Sequence, residues 1–173
     1  IRDRYIKEVE GRPDTTHERQ NSKRHRQTGA RLSHKFYFIM ATRSRIGIQL
    51  EDDSILSVYH HWDGYPAWLG QVLQTHYNTK EKVADLIDGG NMSSCWSDNV
   101  YDYEKQEYVK RDPQPEYYGG DDETPQLHKT MTEYFECSND CWGEYAYIFN
   151  KGEWFCYNTS DNLGALVDIP EEE

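Results

Sequence analysis

Eight consecutive residues, 59–66, carry side chains that could do chemistry at close quarters. They read Tyr-His-His-Trp-Asp-Gly-Tyr-Pro and join a strand-like run to a helix-like run, a setting in which loops often carry function. An imidazole at His61 oriented by the Asp63 carboxylate would suit general acid–base catalysis. Residues two apart in a tight turn often face different ways, so cap and corner roles are favoured over catalysis. We predict no catalytic residue, and the candidate ligand or partner contacts are His61, Trp62, Asp63, Tyr65 and Trp68.

Four cysteines and seven histidines supply enough donors for a zinc site, but without the usual spacing. Structural zinc sites generally contain a pair of cysteines separated by two residues. Here three residues separate Cys137 from Cys141, and Cys156 lies in a strand-like aromatic run. The chain has no Gly-x-Ser-x-Gly elbow and no Gly-rich phosphate loop followed by Lys-Ser/Thr. We therefore predict no metal and no cofactor, and a hydrolytic enzyme is the least favoured class.

Charge is distributed unevenly along the chain, whose formal net charge is −12. Residues 1–39 carry ten Lys or Arg against five Asp or Glu, whereas residues 40–173 carry nine against 26. The body is therefore strongly acidic, which disfavours a phosphate-binding surface and direct binding of nucleic acid by the body. An acidic body does suit competition with nucleic acid for a basic partner protein.

Residues 1–39 precede Met40 and lack a periodic apolar face. They are predicted to be a basic, disordered extension or a non-native upstream segment, and the alternative is a basic arm that contacts nucleic acid or the acidic body. No apolar run approaches the roughly 20 residues of a membrane span, and no signal peptide is recognisable. The cysteines are therefore expected to be thiols and the protein to be cytoplasmic.

Periodicity predicts the first half of the domain. A β-hairpin is predicted over residues 44–60, where apolar residues alternate with polar ones. Two helices are predicted to follow. Pro66 is the first residue of the first helix, and Asp63 is placed to accept hydrogen bonds from its first-turn amides. Thr79 caps the second helix, which ends at Gly89.

The elements predicted for the second half of the domain determine the predicted fold class. A third helix is predicted over residues 129–137, and a second hairpin, rich in aromatic residues, over residues 143–157. Two hairpins flanking helices predict an α+β fold, namely a two-layer sandwich with an antiparallel sheet of about four strands and two to three helices on one face. This single domain is expected to span residues 40–158, with an acidic tail over residues 159–173.

Residues 91–127 show no clear periodicity and are predicted to be a long acidic loop with interleaved tyrosines. Residues 100–103 and 107–110 could pair there as a small exposed hairpin. A loop of this length in a small domain is usually functional or mobile. Its carboxylates and tyrosines would suit a basic groove, because acidic groups mimic phosphates and Tyr is common at recognition surfaces.

Several short motifs occur in an order that resembles one protein family. Residues 40–44 read Met-Ala-Thr-Arg-Ser, residues 61–66 read His-Trp-Asp-Gly-Tyr-Pro, and Leu69-Gly70 and His76-Tyr77 follow. This order resembles small uncharacterised proteins encoded by tailed bacteriophages, including those that infect cyanobacteria. The resemblance covers residues 40–90 well and residues 130–157 loosely. It implies a phage context and no mechanism.

These observations favour a protein that acts by binding. We expect a phage accessory protein in the cytoplasm of the host cell, acting as an acidic inhibitor or modulator of a basic host protein. The alternative is a small-ligand module, in which the loop over residues 62–66 lines a pocket for a planar, nucleotide-like ligand.

Overall fold

The computed structural model describes residues 41–171 of the chain, so the expectations for residues 1–39 lie outside the described residues. None of the described helices combines the length and the apolar composition needed to cross a membrane. The elements are, in chain order, β1 Arg43–Gln49, β2 Ile55–His60, α1 (a π-helical turn Pro66–Gly70 continued by Gln71–His76), α2 Lys80–Asp88, β3 Met92–Asp102, β4 Glu107–Tyr117, β5 Gln126–His128, α3 Met131–Asp140, β6 Gly143–Asn150, β7 Glu153–Asn158 and β8 Ala165–Val167.

The eight strands of the described chain form one mixed sheet in the order β4-β3-β2-β1-β6-β7-β8, with β5 paired to the start of β2. β1 runs parallel to β6, and β2 runs parallel to β3 where His60 meets Met92, while the other neighbours are antiparallel. The predicted antiparallel sheet of about four strands is therefore wrong. Both predicted hairpins exist, but they join side by side through β1 and β6, and four further strands extend the sheet.

Helices cover both faces of the sheet, so the predicted two-layer sandwich with helices on one face is also wrong. Successive strand residues point to opposite faces, and β6 shows both environments. Tyr147 and Phe149 belong to the larger core, which α1 and α2 cover. Ala146 and Ile148 belong to a smaller core on the other face, where Tyr134 of α3 is fully buried. The sheet is thus the middle layer of three.

The helix starts agree only in part with their predicted caps. Thr79 caps α2 as predicted, with its Oγ1 accepting a hydrogen bond from Lys82 N at 3.4 Å. Pro66 is the first residue of the π-helical turn, also as predicted. The cap position of that turn is Tyr65, which makes no side-chain cap hydrogen bond. Asp63 lies two residues earlier in a left-handed conformation with φ 59°, so its predicted capping role is wrong.

The long loop predicted over residues 91–127 is instead mostly sheet, because β3 and β4 are strands of 11 residues each that pair with one another. Pairing of Tyr101 with Tyr108 confirms the small hairpin predicted there, as the end of a much longer one. β3 meets β2 at a single residue pair, His60 and Met92. Beyond this pair, β3, β4 and their turn, here called the ribbon, have no other strand of the described chain beside them.

The domain continues past residue 158, the boundary that the sequence predicts. Thr159 is fully buried, and its Oγ1 donates to Gly143 O at 2.9 Å. β8 then pairs with β7, and Ile169 packs against the larger core. Residues 159–171 therefore pack on the sheet instead of forming a separate tail.

Candidate functional site

The residues selected from the sequence lie in the turn that leads from β2 into α1. Backbone hydrogen bonds fix the path of this turn, since Trp62 N donates to Ser93 O at 2.9 Å and Gly64 N donates to Thr42 O at 2.8 Å. A Cβ on residue 64 would lie 2.6 Å from Ser44 Oγ, so only glycine fits this close approach. The turn is therefore held by the sheet on both sides.

The two adjacent histidines face different environments. His60 is 1% exposed, with its Nδ1 3.0 Å from Ser44 Oγ, and burial together with the charge of His61 lowers its pKa to about 3. His61 is half-buried on the opposite face, with its Nδ1 2.7 Å from the Tyr59 hydroxyl. Partial burial and the nearby Arg43 lower the pKa of His61. His60 is thus a neutral structural residue, and His61 is the accessible imidazole.

The selected aromatic residues lie on the surface of the protein. Trp62 is 44% exposed, Tyr65 40% and Trp68 42%. The Trp62 indole packs edge-on against the His61 ring, with 4.6 Å between ring centroids. The structure therefore brings His61 and Trp62 together, whereas Asp63 lies exposed on the outside of the turn. A binding role for this turn stays a prediction.

A second exposed aromatic group occupies the end of the ribbon, and we call Tyr101, Tyr103 and Tyr108 the tyrosine tip. The Tyr101 ring lies edge-on to both others, with ring centroids 5.1 Å apart in each pair. Tyr103 is 84% exposed and Tyr108 is 74% exposed. Large aromatic side chains that cluster in solvent are typical of recognition surfaces.

The turn beneath the tyrosine tip is ordered by one carboxylate. Asp102 Oδ1 accepts hydrogen bonds from Glu104 N at 3.0 Å and Lys105 N at 3.1 Å, which is an Asx-type turn. These hydrogen bonds hold the pKa of the Asp102 carboxyl below its ordinary value, and the bond from Lys105 has the largest effect. Gln106 completes the reversal with φ 56°. The conformation of the tip is thus fixed by the turn that supports it.

The ribbon carries more acidic than basic groups. Residues 92–117 contain six Asp or Glu against three Lys or Arg. Lys105 pairs with Asp102 at 3.1 Å, and Lys110 pairs with Asp98. The remaining acids have no cationic side chain of the described chain within 4.0 Å, and they are Glu104, Glu107, Asp112 and Glu116.

The base of the ribbon is anchored to α1 and α2. Trp96 stacks on His76 with 3.9 Å between ring centroids and 15° between ring planes. The Tyr117 hydroxyl donates to Leu86 O at 2.8 Å, and Cys95 is buried in the larger core. Burial raises the pKa of the Cys95 thiol, which is therefore neutral. The ribbon is docked at one end and presents its tyrosines at the other.

A polar cluster on the α3 face contains residues that sequence reasoning did not select. Arg45 is 3% exposed and its Nε donates to Ser57 Oγ at 3.1 Å. Ser57 Oγ also lies 2.8 Å from His128 Nε2. The alternation of the first hairpin places Arg43 and Arg45 on one face with Tyr59, and this was the signal available in the sequence.

Comparisons with known proteins assign no function, because no protein-family model, curated protein or solved structure matches this chain. No group of three or more His, Cys, Asp or Glu within residues 41–171 is arranged to hold a metal ion. Two surface cavities, of about 470 and 330 Å³, lie beside the turn at Lys151 and Gly152, and Trp154 of β7 lines the smaller one. Neither is lined by residues 62–66, where a ligand pocket was predicted.

Proposed function

We propose that the protein is a phage-encoded accessory protein that acts in the host cytoplasm by binding a basic host protein through the ribbon. The observation that carries this proposal is the tyrosine tip, a cluster of three aromatic side chains held in solvent at the end of an anchored two-stranded arm. Catalysis is less well supported, because Asp63 lies exposed on the outside of the turn and His61 Nδ1 contacts the Tyr59 hydroxyl at 2.7 Å instead of a carboxylate.

The tip supports binding on energetic grounds. Exposed tyrosine rings gain free energy when a partner removes them from water, at about 25 cal/mol per Å² of apolar surface. A tyrosine has few rotatable bonds, so it loses little entropy when it is fixed in an interface. Asp102 already orders the supporting turn, which reduces the ordering cost further.

Charge supports a basic partner over an acidic one. The ribbon has an excess of carboxylates, and residues 40–173 carry 26 Asp or Glu against nine Lys or Arg. Such a field attracts a positively charged surface and repels nucleic acid. The resemblance of the chain to proteins of tailed bacteriophages favours a host protein as this partner, and a protein that itself binds nucleic acid has the required charge.

The experiment compares the full-length wild type with a Tyr103→Ser/Tyr108→Ser variant in affinity capture from host extract at low salt. The captured protein is then purified, and its dissociation constant is measured by titration calorimetry at several salt concentrations. We expect a basic partner, binding at least ten-fold weaker for the variant, and weaker binding at higher salt. Leu166→Ser is the matched control, because Leu166 is 63% exposed on β8, at the opposite edge of the sheet.

Two results would contradict the proposal. Equal dissociation constants for the wild type and the double variant would show that the tyrosine tip is not the contact. An acidic partner, or binding that strengthens with salt, would show that charge complementarity plays no part.

A further inference from the structure

The guanidinium of Arg45 is a buried charge that lacks a carboxylate partner. The side chain is 3% exposed, its Nε donates to Ser57 Oγ at 3.1 Å and its Nη2 donates to Ser57 O at 3.4 Å. Among the described residues, no Asp or Glu oxygen lies within 4.0 Å of Arg45 or of Arg43, two positions earlier on the same strand. Buried charges are normally paired, because desolvation costs several kcal/mol.

The neighbours of Arg45 do not supply the missing negative charge. His128 lies 2.8 Å from Ser57 Oγ, and burial, followed by the charge of Arg45, lowers its pKa to about 4. Burial raises the pKa of the Cys141 thiol and of the Tyr134 phenol, so both groups are protonated at neutral pH. His128, Cys141 and Tyr134 are therefore neutral at neutral pH, while the Glu133 carboxylate acts on His128 and partly opposes the lowering of its pKa.

Strand register brings further polar groups to the same face. Arg45 pairs with Tyr59 across β1 and β2, and residues two apart on a strand share a face, which adds Arg43. His61 follows the last residue of β2. The Tyr59 hydroxyl lies 2.7 Å from His61 Nδ1. Burial raises the pKa of Tyr59, and the nearby positive charge of Arg43 partly opposes that rise. Register and alternation thus place two arginines on one face of the sheet together with the Tyr59–His61 pair.

This face can be reached from solvent. Arg43, Tyr59, His61 and Cys141 are all half-buried, whereas Arg45 is almost fully buried. An incoming group could therefore contact Arg43 and the Tyr59–His61 pair at the surface and approach the guanidinium of Arg45 below.

We propose that this cluster binds a phosphate-class oxyanion, either as the free ion or as the phosphate of a small phosphomonoester. Arg43 and Arg45 supply planar guanidinium donors, which match the oxygens of a phosphate in pairs. Tyr59 and His61 complete the donor set at the open side. The site is local, because the surrounding body has a large excess of carboxylates that would otherwise repel an anion.

The test uses the full chain at pH 7.5, with thermal unfolding and titration calorimetry against inorganic phosphate and against adenosine monophosphate. Sodium chloride at matched ionic strength is the reference for non-specific effects of salt. We expect a rise in melting temperature of about 5 °C or more when the binding anion is at 100 times its dissociation constant. Stabilisation by both compounds would assign a phosphomonoester site, and stabilisation by inorganic phosphate alone would assign a site for the free ion.

Arg43→Gln is the decisive variant, because Arg43 is half-buried and can be replaced without burying an unpaired group. It should weaken phosphate binding at least ten-fold, whereas Arg111→Gln on the ribbon should leave it unchanged. Binding by the basic residues 1–39 would be the same in both variants. The proposal is overturned if the wild type binds neither compound, or if Arg43→Gln binds phosphate as tightly as the wild type does.

Discussion

Acid is expected to destabilise this protein well above the pH at which its carboxylates become protonated, because His60 is buried as a neutral imidazole. The folded state holds the pKa of His60 at about 3, whereas an exposed histidine has a pKa of about 6.5. His128 is likewise shifted, to about 4. The unfolded chain therefore binds protons below pH 6.5 that the folded chain does not bind, so stability is complete above pH 6.5 and falls as the pH falls through that value.

The size of the effect follows from the two pKa values. Each pH unit between the unfolded and folded pKa costs about 1.4 kcal/mol per histidine. Between pH 7.5 and pH 5.0, His60 alone should lower the free energy of unfolding by about 2 kcal/mol, and His128 should add a similar loss. Domains of this kind are typically stable by about 5–15 kcal/mol, so the combined loss is a large fraction of the total.

The assay is urea unfolding of the full chain at half-unit steps from pH 7.5 to pH 5.0. His60→Gln should remove about half of the pH slope, whatever it does to stability at pH 7.5. Ser44→Ala is the matched control, since it removes the hydrogen-bond partner of His60 but keeps the imidazole buried, and it should retain the full slope. A wild-type stability that is flat between pH 7.5 and pH 5.0 would refute the assignment of His60 as a buried neutral residue.

Two further predictions concern single side chains. Trp62→Ala should lower the free energy of unfolding by less than about 2 kcal/mol, because Trp62 is 44% exposed, whereas truncating a buried Trp costs roughly 3–5 kcal/mol. A larger loss in urea unfolding would show that Trp62 is a core residue. Tyr134→Phe should cost about 1–3 kcal/mol, because the phenol donates to Arg45 O at 3.1 Å and Tyr147 O at 2.8 Å and neither carbonyl gains a replacement donor. Unchanged thermal stability of Tyr134→Phe would count against that buried network.

Local patterns predicted the hairpins but not the way in which they assemble. Alternation along β1 and β2, and again along β6 and β7, is visible in the sequence because each strand has one face in the larger core. The parallel pairing of Ile46 with Tyr147 joins segments about a hundred residues apart, and no local signal specifies it. Sequence patterns therefore predict two antiparallel hairpins, whereas the strands at the centre of the sheet are parallel.

The ribbon was missed because its strands have little core to face. Only Met92 and Cys95 of β3 are buried and no residue of β4 is, the others being half-buried or exposed, so apolar and polar residues do not alternate. Pro113 and Pro115 also argue against a strand, although proline is tolerated on an edge strand such as β4. Only the pairing near Tyr101 and Tyr108, next to the turn, followed the usual hairpin pattern.

The arginine cluster was hidden for a related reason. Arg43 and Arg45 alternate with the buried Ser44 and Ile46. The sequence pattern therefore predicts that both arginines point to the solvent-exposed face of the hairpin. The structure shows that α3, from a distant part of the chain, covers this face instead. A polar residue on the face opposite the larger core is buried only when another layer packs on it, and no local sequence pattern indicates that layer.

Photo-crosslinking from the tyrosine tip would show whether the tip contacts a basic host protein. A benzophenone amino acid would replace Tyr103 in the full chain, and this variant would be mixed with host extract and irradiated at low and at high salt. We expect one dominant crosslinked protein with a basic surface, formed at low salt and lost at high salt. The same probe at Leu166 would give no such product. Crosslinking of that protein from Leu166 and not from Tyr103 would mean that the tip is not the contact surface.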